Sequence, residues 1–135
     1  MDNLTRAAMQ FPAMHSLWLG SESDLERYNI YVWINDVSCT ADPARVSDEP
    51  DEELALFSDE LKAISVPVVD FYEVLNLLKQ YNIEGYELYA DASGNLTGVE
   101  LYHASYDGIF YYAVDGEKPD EYAHNLQGDW WFMEP

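Results

Sequence analysis

The sequence has few of the residues that cross-link a chain or carry positive charge, and it has no long apolar segment of the kind that spans a membrane. Cys39 is the single cysteine among 135 residues, so no disulfide can close within the chain, and we expect a reducing, intracellular setting. No uninterrupted apolar run reaches the roughly 18 residues that a membrane-spanning helix needs. Residues 1–20 lack a basic segment ahead of a long apolar run, so we also expect no secretory signal there.

Motifs for catalysis and for metal binding are also missing. The histidines are widely separated, and Cys39 has no partner thiol. The polar run at 91–95 lacks the later glycine and glutamate of a calcium-binding loop, so a turn explains it better. One cluster, His103 beside Glu100 and Asp107, has proton-transferring side chains, although a histidine on a sheet is more often only hydrogen-bonded. We therefore predict that the protein is not an enzyme and needs no metal or cofactor.

Carboxylates are what the sequence has in excess. It contains 26 Asp and Glu residues against six Lys and Arg, which gives a formal charge of −20. Small domains usually carry a net charge of magnitude about 2–8, and self-repulsion at a much higher charge opposes folding. The acids recur from Asp2 to Glu134 rather than gathering in a tail, and 48% of the residues are hydrophobic. This composition predicts a folded body, and the length predicts a single domain over 1–135.

The net charge of the protein is similar in magnitude to the charge of the length of duplex DNA that a body of this size would cover. A compact chain of 135 residues has a diameter of about 35–40 Å. Duplex DNA carries one charge per roughly 1.7 Å, so about 20 charges correspond to about 34 Å of duplex. Solubility or a high-salt habitat is the alternative explanation of such acidity. The excess favours a basic protein as partner and argues against direct contact with nucleic acid or an anionic membrane, whose phosphates would be repelled.

Hydropathy periodicity predicts an α+β fold. Residues 1–27 are the least regular part, with a short helix interrupted by Pro12, and we expect this N-terminal segment to pack on the domain or extend from it. In chain order, the other predicted elements are a strand at 28–34, a loop at 35–50, helices at 47–64 and 70–81, and strands at 86–90, 97–104, 109–114 and 130–133. We therefore predict an antiparallel β-sheet of about four to five strands, with a C-terminal meander and two helices packed on one face.

Two acidic surfaces are candidate sites for a basic partner, and the first is a helix. Five of its acids lie off the apolar stripe that contains Leu54, Phe57 and Leu61, so they face solvent; these are Glu49, Glu52, Glu53, Asp59 and Glu60. An ordinary solvated helix face is the alternative explanation, since like charges there cost only about a few tenths of a kcal/mol each. This acidic helix comprises Asp48, Glu49, Asp51, Glu52, Glu53, Asp59 and Glu60.

The second candidate surface is one face of the predicted sheet. Alternation sends Leu88, Val99 and Leu101 inward against the helices. The opposite face then carries carboxylates beside tyrosines, which bind Arg and Lys through charge-assisted hydrogen bonds and cation–π contacts. Cross-strand aromatic pairs also stabilise any sheet, so a purely structural role is the alternative. The candidate residues on this face are Glu87, Tyr89, Glu100, Tyr102 and, if the register allows it, Tyr112.

Three functions fit these features. Phage and mobile elements encode small, acidic, single-domain proteins as anti-restriction and anti-CRISPR factors, and this chain is similar to them in size, charge and lack of catalytic motifs. The first hypothesis is therefore a DNA-mimic-type inhibitor, in the cytoplasm of the host cell, that binds the basic nucleic-acid-binding surface of a defence nuclease or of a CRISPR or restriction complex. The second is an immunity protein or antitoxin that neutralises a basic nuclease toxin. The third is a small-molecule-binding domain or enzyme whose site is lined by Tyr and Trp.

Overall fold

The described part of the chain forms one antiparallel sheet with helices packed on one of its faces. A computed structural model describes residues 1–20, 31–40, 58–105 and 107–134. The helices are α1 (Asp2–Met9), α2 (Ser58–Ala63) and α3 (Val68–Gln80). The strands are β1 (Ser16–Leu19), β2 (Tyr31–Ile34), β3 (Val37–Thr40), β4 (Ile83–Ala90), β5 (Leu96–His103), β6 (Ile109–Ala113), β7 (His124–Gln127) and β8 (Trp130–Met133). Their order across the sheet is β3-β2-β1-β4-β5-β6-β8-β7.

The α+β class, the antiparallel pairing and the C-terminal meander β4-β5-β6 are confirmed. The predicted number of elements was too low, because the described ranges contain eight strands and three helices rather than four to five strands and two helices. The strands that were not predicted are β1, β3 and β7, which have four residues each, the lower limit for a period-2 pattern. The strand predicted at 130–133 is present as β8 and lies between β6 and β7.

The segment predicted as a loop at 35–50 contains β3, so that prediction was wrong for residues 37–40. A tight turn joins β2 to β3, in which Asn35 and Asp36 have φ angles of 47° and 71°. Two consecutive positive φ angles suit the right-handed twist of a two-residue hairpin, and Asn and Asp tolerate them better than most residues. The signal for this hairpin was therefore present in the sequence as the pair Asn-Asp.

The N-terminal segment is integral to the sheet. The short helix predicted here was misplaced: α1 ends at Met9, before Pro12, and the chain then enters β1, which lies between β2 and β4. Leu4 and Ala8 of α1 are fully buried in the same core cluster as Leu17 of β1. The first 20 residues thus supply a central strand and part of the helical layer.

One apolar stripe of α3 forms the centre of the core. Phe71, Val74, Leu75 and Leu78 follow helical i, i+3, i+4, i+7 spacing and are all buried. The helix begins at Val68 with Pro67 as its N-cap residue, two residues before the predicted start. The sheet residues buried in the same core are Leu17, Val32, Ile34, Ile83, Tyr86, Leu88, Val99 and Leu101. None of the three described helices has the length and apolar character needed to cross a bilayer.

Replacement of Leu17 by Ala tests whether β1 is a core strand. Leu17 has no exposed surface, so Leu17→Ala should lower the free energy of unfolding by about 2–5 kcal/mol through lost burial and the cavity left behind. Urea denaturation followed by circular dichroism measures this change. Leu126→Ala is the matched control, because that leucine is 52% exposed on β7 and its loss should cost less than about 0.5 kcal/mol. Equal effects of the two substitutions would contradict a central position for β1.

Candidate functional site

The face of the sheet turned away from the helices, here called the outer face, carries the carboxylates and tyrosines that alternation predicted. Glu87 of β4 lies directly opposite Glu100 of β5, while Tyr102 lies opposite Gly85 and Tyr89 opposite Gly98. The neighbouring residues in each strand point the other way and belong to the buried core, as predicted for Leu88, Val99 and Leu101. The core packing of β4 and β5 therefore determines which side chains reach the outer face.

Tyr112 does not belong to the outer face, so that part of the prediction was wrong. It lies opposite Val99, packs against the core, and its ring centroid is 5.1 Å from that of Trp130. Tyr111 takes the expected place opposite Glu100 on the outer face. The side of the sheet on which each β6 residue lies depends on the pairing register between β6 and β5. Alternation within β6 shows only which residues share a side, so a register shifted by one residue would fit it equally well.

The four outer-face residues of β4 and β5 form a hydrogen-bonded group, here called the tyrosine–glutamate cluster: Glu87, Tyr89, Glu100 and Tyr102. The Tyr89 hydroxyl lies 3.1 Å from Oε2 of Glu87 and 2.9 Å from Oε2 of Glu100. The Tyr102 hydroxyl lies 3.5 Å from Oε2 of Glu87 and 2.5 Å from Oε2 of Glu100. A hydroxyl has a single proton, so each tyrosine donates to one carboxylate at a time. The two phenols thus lie between two carboxylates that would otherwise face each other directly.

The environment of the cluster holds both phenols in the protonated form. Partial burial raises the pKa of Tyr89 above its ordinary value of 10.0, and hydrogen bonding to the Glu100 carboxylate raises it further. Burial and the same carboxylate likewise raise the pKa of Tyr102. The cluster therefore keeps its O–H donors well above neutral pH.

Positive side chains are scarce around this cluster. The eight described strands contain Glu84, Glu87 and Glu100 but no Lys or Arg. The connection between β6 and β7, residues 114–123, adds further acids and one cation, Lys118. Part of this connection lies beside the cluster, where Pro119 and Asp120 line a groove of about 410 Å³ together with Tyr89, Glu100 and Tyr111. The acids of the connection are Asp115, Glu117, Asp120 and Glu121.

The predicted acidic helix lies largely outside the described residues. Asp48, Glu49, Asp51, Glu52 and Glu53 fall in the range 41–57, which the structure does not describe. Its last two acids fall in α2, where Glu60 is exposed beside the fully buried Leu61, and Asp59 is the second residue of the helix. The acidic helix thus remains a predicted site.

The proton-transfer cluster considered from the sequence is not assembled. Glu100 points to the outer face, whereas His103, three residues along the same strand, points to the inner face. The His103 ring lies 6.1 Å from that of Phe110, and its Nδ1 accepts a hydrogen bond of 3.0 Å from the backbone N–H of Ser105. Within 1–20, 31–40, 58–105 and 107–134, no three His, Cys, Asp or Glu residues are arranged to hold a metal ion.

Two tryptophans of the outer face, Trp18 and Trp33, were not included among the predicted site residues. Trp18 of β1 lies opposite Trp33 of β2, and its ring centroid is 4.4 Å from that of Tyr102. The outward position of Trp33 followed from alternation in β2, but that of Trp18 required knowing that β1 is a strand.

Comparison of the chain with models of protein families, with curated proteins and with solved structures finds no match.

The raised pKa values make stability depend on pH in a defined direction. The folded protein holds the Tyr89 and Tyr102 protons to higher pH than the unfolded chain, whose tyrosines titrate near 10.0. The resulting stabilisation is complete below about pH 10 and is lost as the pH rises towards the folded-state values.

We expect Glu100→Gln to lower the pKa values of Tyr89 and Tyr102 towards 10 without reaching it, because both side chains remain partly buried. NMR titration of the tyrosine ring carbons measures this, with Glu84→Gln on the neighbouring strand β4 as control. Identical titration of Tyr102 in Glu100→Gln and the parent protein would rule out the cluster.

Proposed function

We propose that this protein is an acidic inhibitor that binds the basic nucleic-acid-binding surface of a defence nuclease or of a CRISPR or restriction complex, as a mimic of DNA. The observation that supports the proposal is the tyrosine–glutamate cluster, where Glu87 and Glu100 lie side by side on strands without Lys or Arg. Like charges directly opposite in a sheet are destabilising. A cationic partner that contacts both carboxylates would convert this repulsion into binding energy.

The chemistry of the cluster suits arginine and lysine side chains. A guanidinium has five N–H donors in a planar fork, so it can bond the two carboxylates while the phenol hydroxyls keep their positions. Tyr89 is 41% exposed, and its ring offers a face for a cation–π contact. These are the side chains with which nucleic-acid-binding proteins contact phosphates.

The distribution of cations also favours the outer face. Among the described residues, Arg6, Lys62 and Lys79 lie on the helices, and Lys118 lies in the connection between β6 and β7. The helical layer therefore contains both signs of charge, whereas the strands of the outer face contain carboxylates alone. With a formal charge of −20, the field of the whole molecule would steer a basic surface towards it.

An open groove favours a second candidate function, the binding of a small molecule. It has a volume of about 710 Å³, within the usual range of about 300–1,000 Å³ for ligand sites, and lies between α1 and the β6-β8-β7 end of the sheet. Met9, Phe110 and Trp130 contribute apolar lining, and Arg6 is the Lys or Arg residue in the lining. A metabolite that binds there would raise the melting temperature by an amount that grows with the logarithm of its concentration above Kd.

Capture from a lysate of the host cell tests the inhibitor function. The immobilised full chain is incubated with lysate at low salt, eluted with rising salt, and the bound proteins are identified by mass spectrometry. We expect a nucleic-acid-binding enzyme that elutes at moderate salt and that duplex DNA displaces. A partner that duplex DNA leaves bound, or metabolic enzymes retained at high salt, would contradict the proposal. A cognate toxin nuclease among the captured proteins would instead identify an immunity protein.

Charge substitutions decide which acidic surface binds this partner. Glu87→Gln combined with Glu100→Gln removes the two neighbouring charges of the sheet face and should weaken affinity about tenfold, mainly through faster dissociation. The same change at Glu49 and Glu52 tests the acidic helix with an equal loss of charge. Surface plasmon resonance with the captured partner measures both variants, and circular dichroism checks their folding. Equal affinity of the sheet variant and the parent protein would exclude the sheet face as the binding site.

A further inference from the structure

A second groove on the outer face lies next to the tyrosine–glutamate cluster and is built around indole rings. Trp18 and Trp33 lie directly opposite each other on β1 and β2, and Ser16 of β1 lies opposite Glu87 of β4. With Asp36 and Leu19 they line an open cavity of about 370 Å³, here called the indole groove. Glu87 thus belongs both to the groove and to the cluster.

The turn that carries Asp36 is hydrogen-bonded to the start of β1, which also lines the groove. Asn35 accepts a hydrogen bond of 3.1 Å from the backbone N–H of Ser16, and its side-chain amide donates one of 2.6 Å to the carbonyl of Ala13. These two bonds join the β2–β3 turn to the start of β1. Asp36, the next residue, is therefore held in the lining of the groove, to which Glu87 of the adjacent strand β4 also belongs.

Both indoles are supported by neighbouring groups. Trp18 lies over Gly85, where an added Cβ would come within 2.5 Å of its ring, and it contacts the ring of Tyr102. Trp33 is 41% exposed, and Tyr31 packs against it at nearly a right angle with centroids 6.1 Å apart. A ligand that stacks on these rings therefore needs to order few side chains, which lowers the entropic cost of binding.

We propose that the indole groove binds one arginine side chain of the basic partner. The inference rests on the proposed function, because the arginine comes from that partner. Tryptophan gives the strongest cation–π contact, and the planar guanidinium stacks on an aromatic face while its edge bonds a carboxylate of Glu87 or Asp36. The volume lies near the lower limit for ligand sites and suits a single side chain.

The groove extends the mimicry from phosphate to base. Arginines of nucleic-acid-binding proteins stack on exposed bases and also pair with phosphates. In the indole groove, the indole ring would replace the base on which the arginine stacks, and the carboxylate would replace the phosphate with which it pairs. Lysine is a compact, strongly hydrated charge that cannot stack in this way, so the groove should prefer arginine.

NMR of the full chain with short peptides tests this assignment. The probes are acetyl-Gly-Arg-Gly-amide and its lysine and citrulline counterparts, the last being planar but uncharged. The sequence has four tryptophans, so the indole N–H signals of Trp130 and Trp131 serve as internal references. We expect the arginine peptide to shift the Trp18 and Trp33 signals, the lysine peptide to bind at least about threefold more weakly, and the citrulline peptide to have no effect.

Substitution of Asp36 gives the matched variant test. Asp36→Asn removes the charge but keeps a residue that tolerates the positive φ of the turn, and it should weaken arginine-peptide binding about threefold to tenfold. Asp91→Asn, in the β4–β5 turn, is the control and should leave binding unchanged. The proposal is overturned if the indole signals do not move, if citrulline acts equally, or if only the Tyr89 and Tyr102 signals respond. The last result would leave the proposed function intact, whereas a captured partner that ignores duplex DNA would refute that function even if arginine binds the groove.

Discussion

The pairing of Glu87 with Glu100 across β4 and β5 is the interaction on which the outer face depends. Two carboxylates directly opposite repel, and the hydroxyls of Tyr89 and Tyr102 offset this repulsion by donating between them. The pairing persists because the other side of the same strands is buried. A slip of one residue would move the glutamates into the core and the leucines into solvent. The apolar core therefore maintains an acidic arrangement that the acids alone would not adopt.

Glycine determines the shape of this face at two positions. Gly85 lies beneath the Trp18 ring, and Gly98 lies beneath the Tyr111 hydroxyl, at distances that leave no room for a Cβ. A large ring on one strand can thus lie flat over its neighbour instead of projecting into solvent. This arrangement brings Trp18 against Tyr102 and joins the indole groove to the tyrosine–glutamate cluster.

The two sides of the sheet differ in composition. Buried aliphatic residues of α1, α3 and the central strands supply the core on one side. On the other side, aromatic rings and carboxylates lie together and no described strand contains a Lys or Arg, a composition that suits the basic partner proposed above. Because the same strands form both sides, the charge of the outer face is coupled to stability. This coupling agrees with the pH dependence that the raised pKa values of Tyr89 and Tyr102 imply.

The sequence by itself determined the features that repeat within one element. The stripe of α3, the alternation of β4 and β5, and the outward position of Glu87 and Glu100 follow from local periodicity. Tertiary structure decided the rest. A four-residue strand such as β1 is barely long enough to show a period. The face of the sheet on which Tyr111 lies depends on the pairing register between β6 and β5. The indole groove joins residues from three separate strands and a turn, which only the strand order brings together, since hydrogen bonding between distant segments leaves no local pattern.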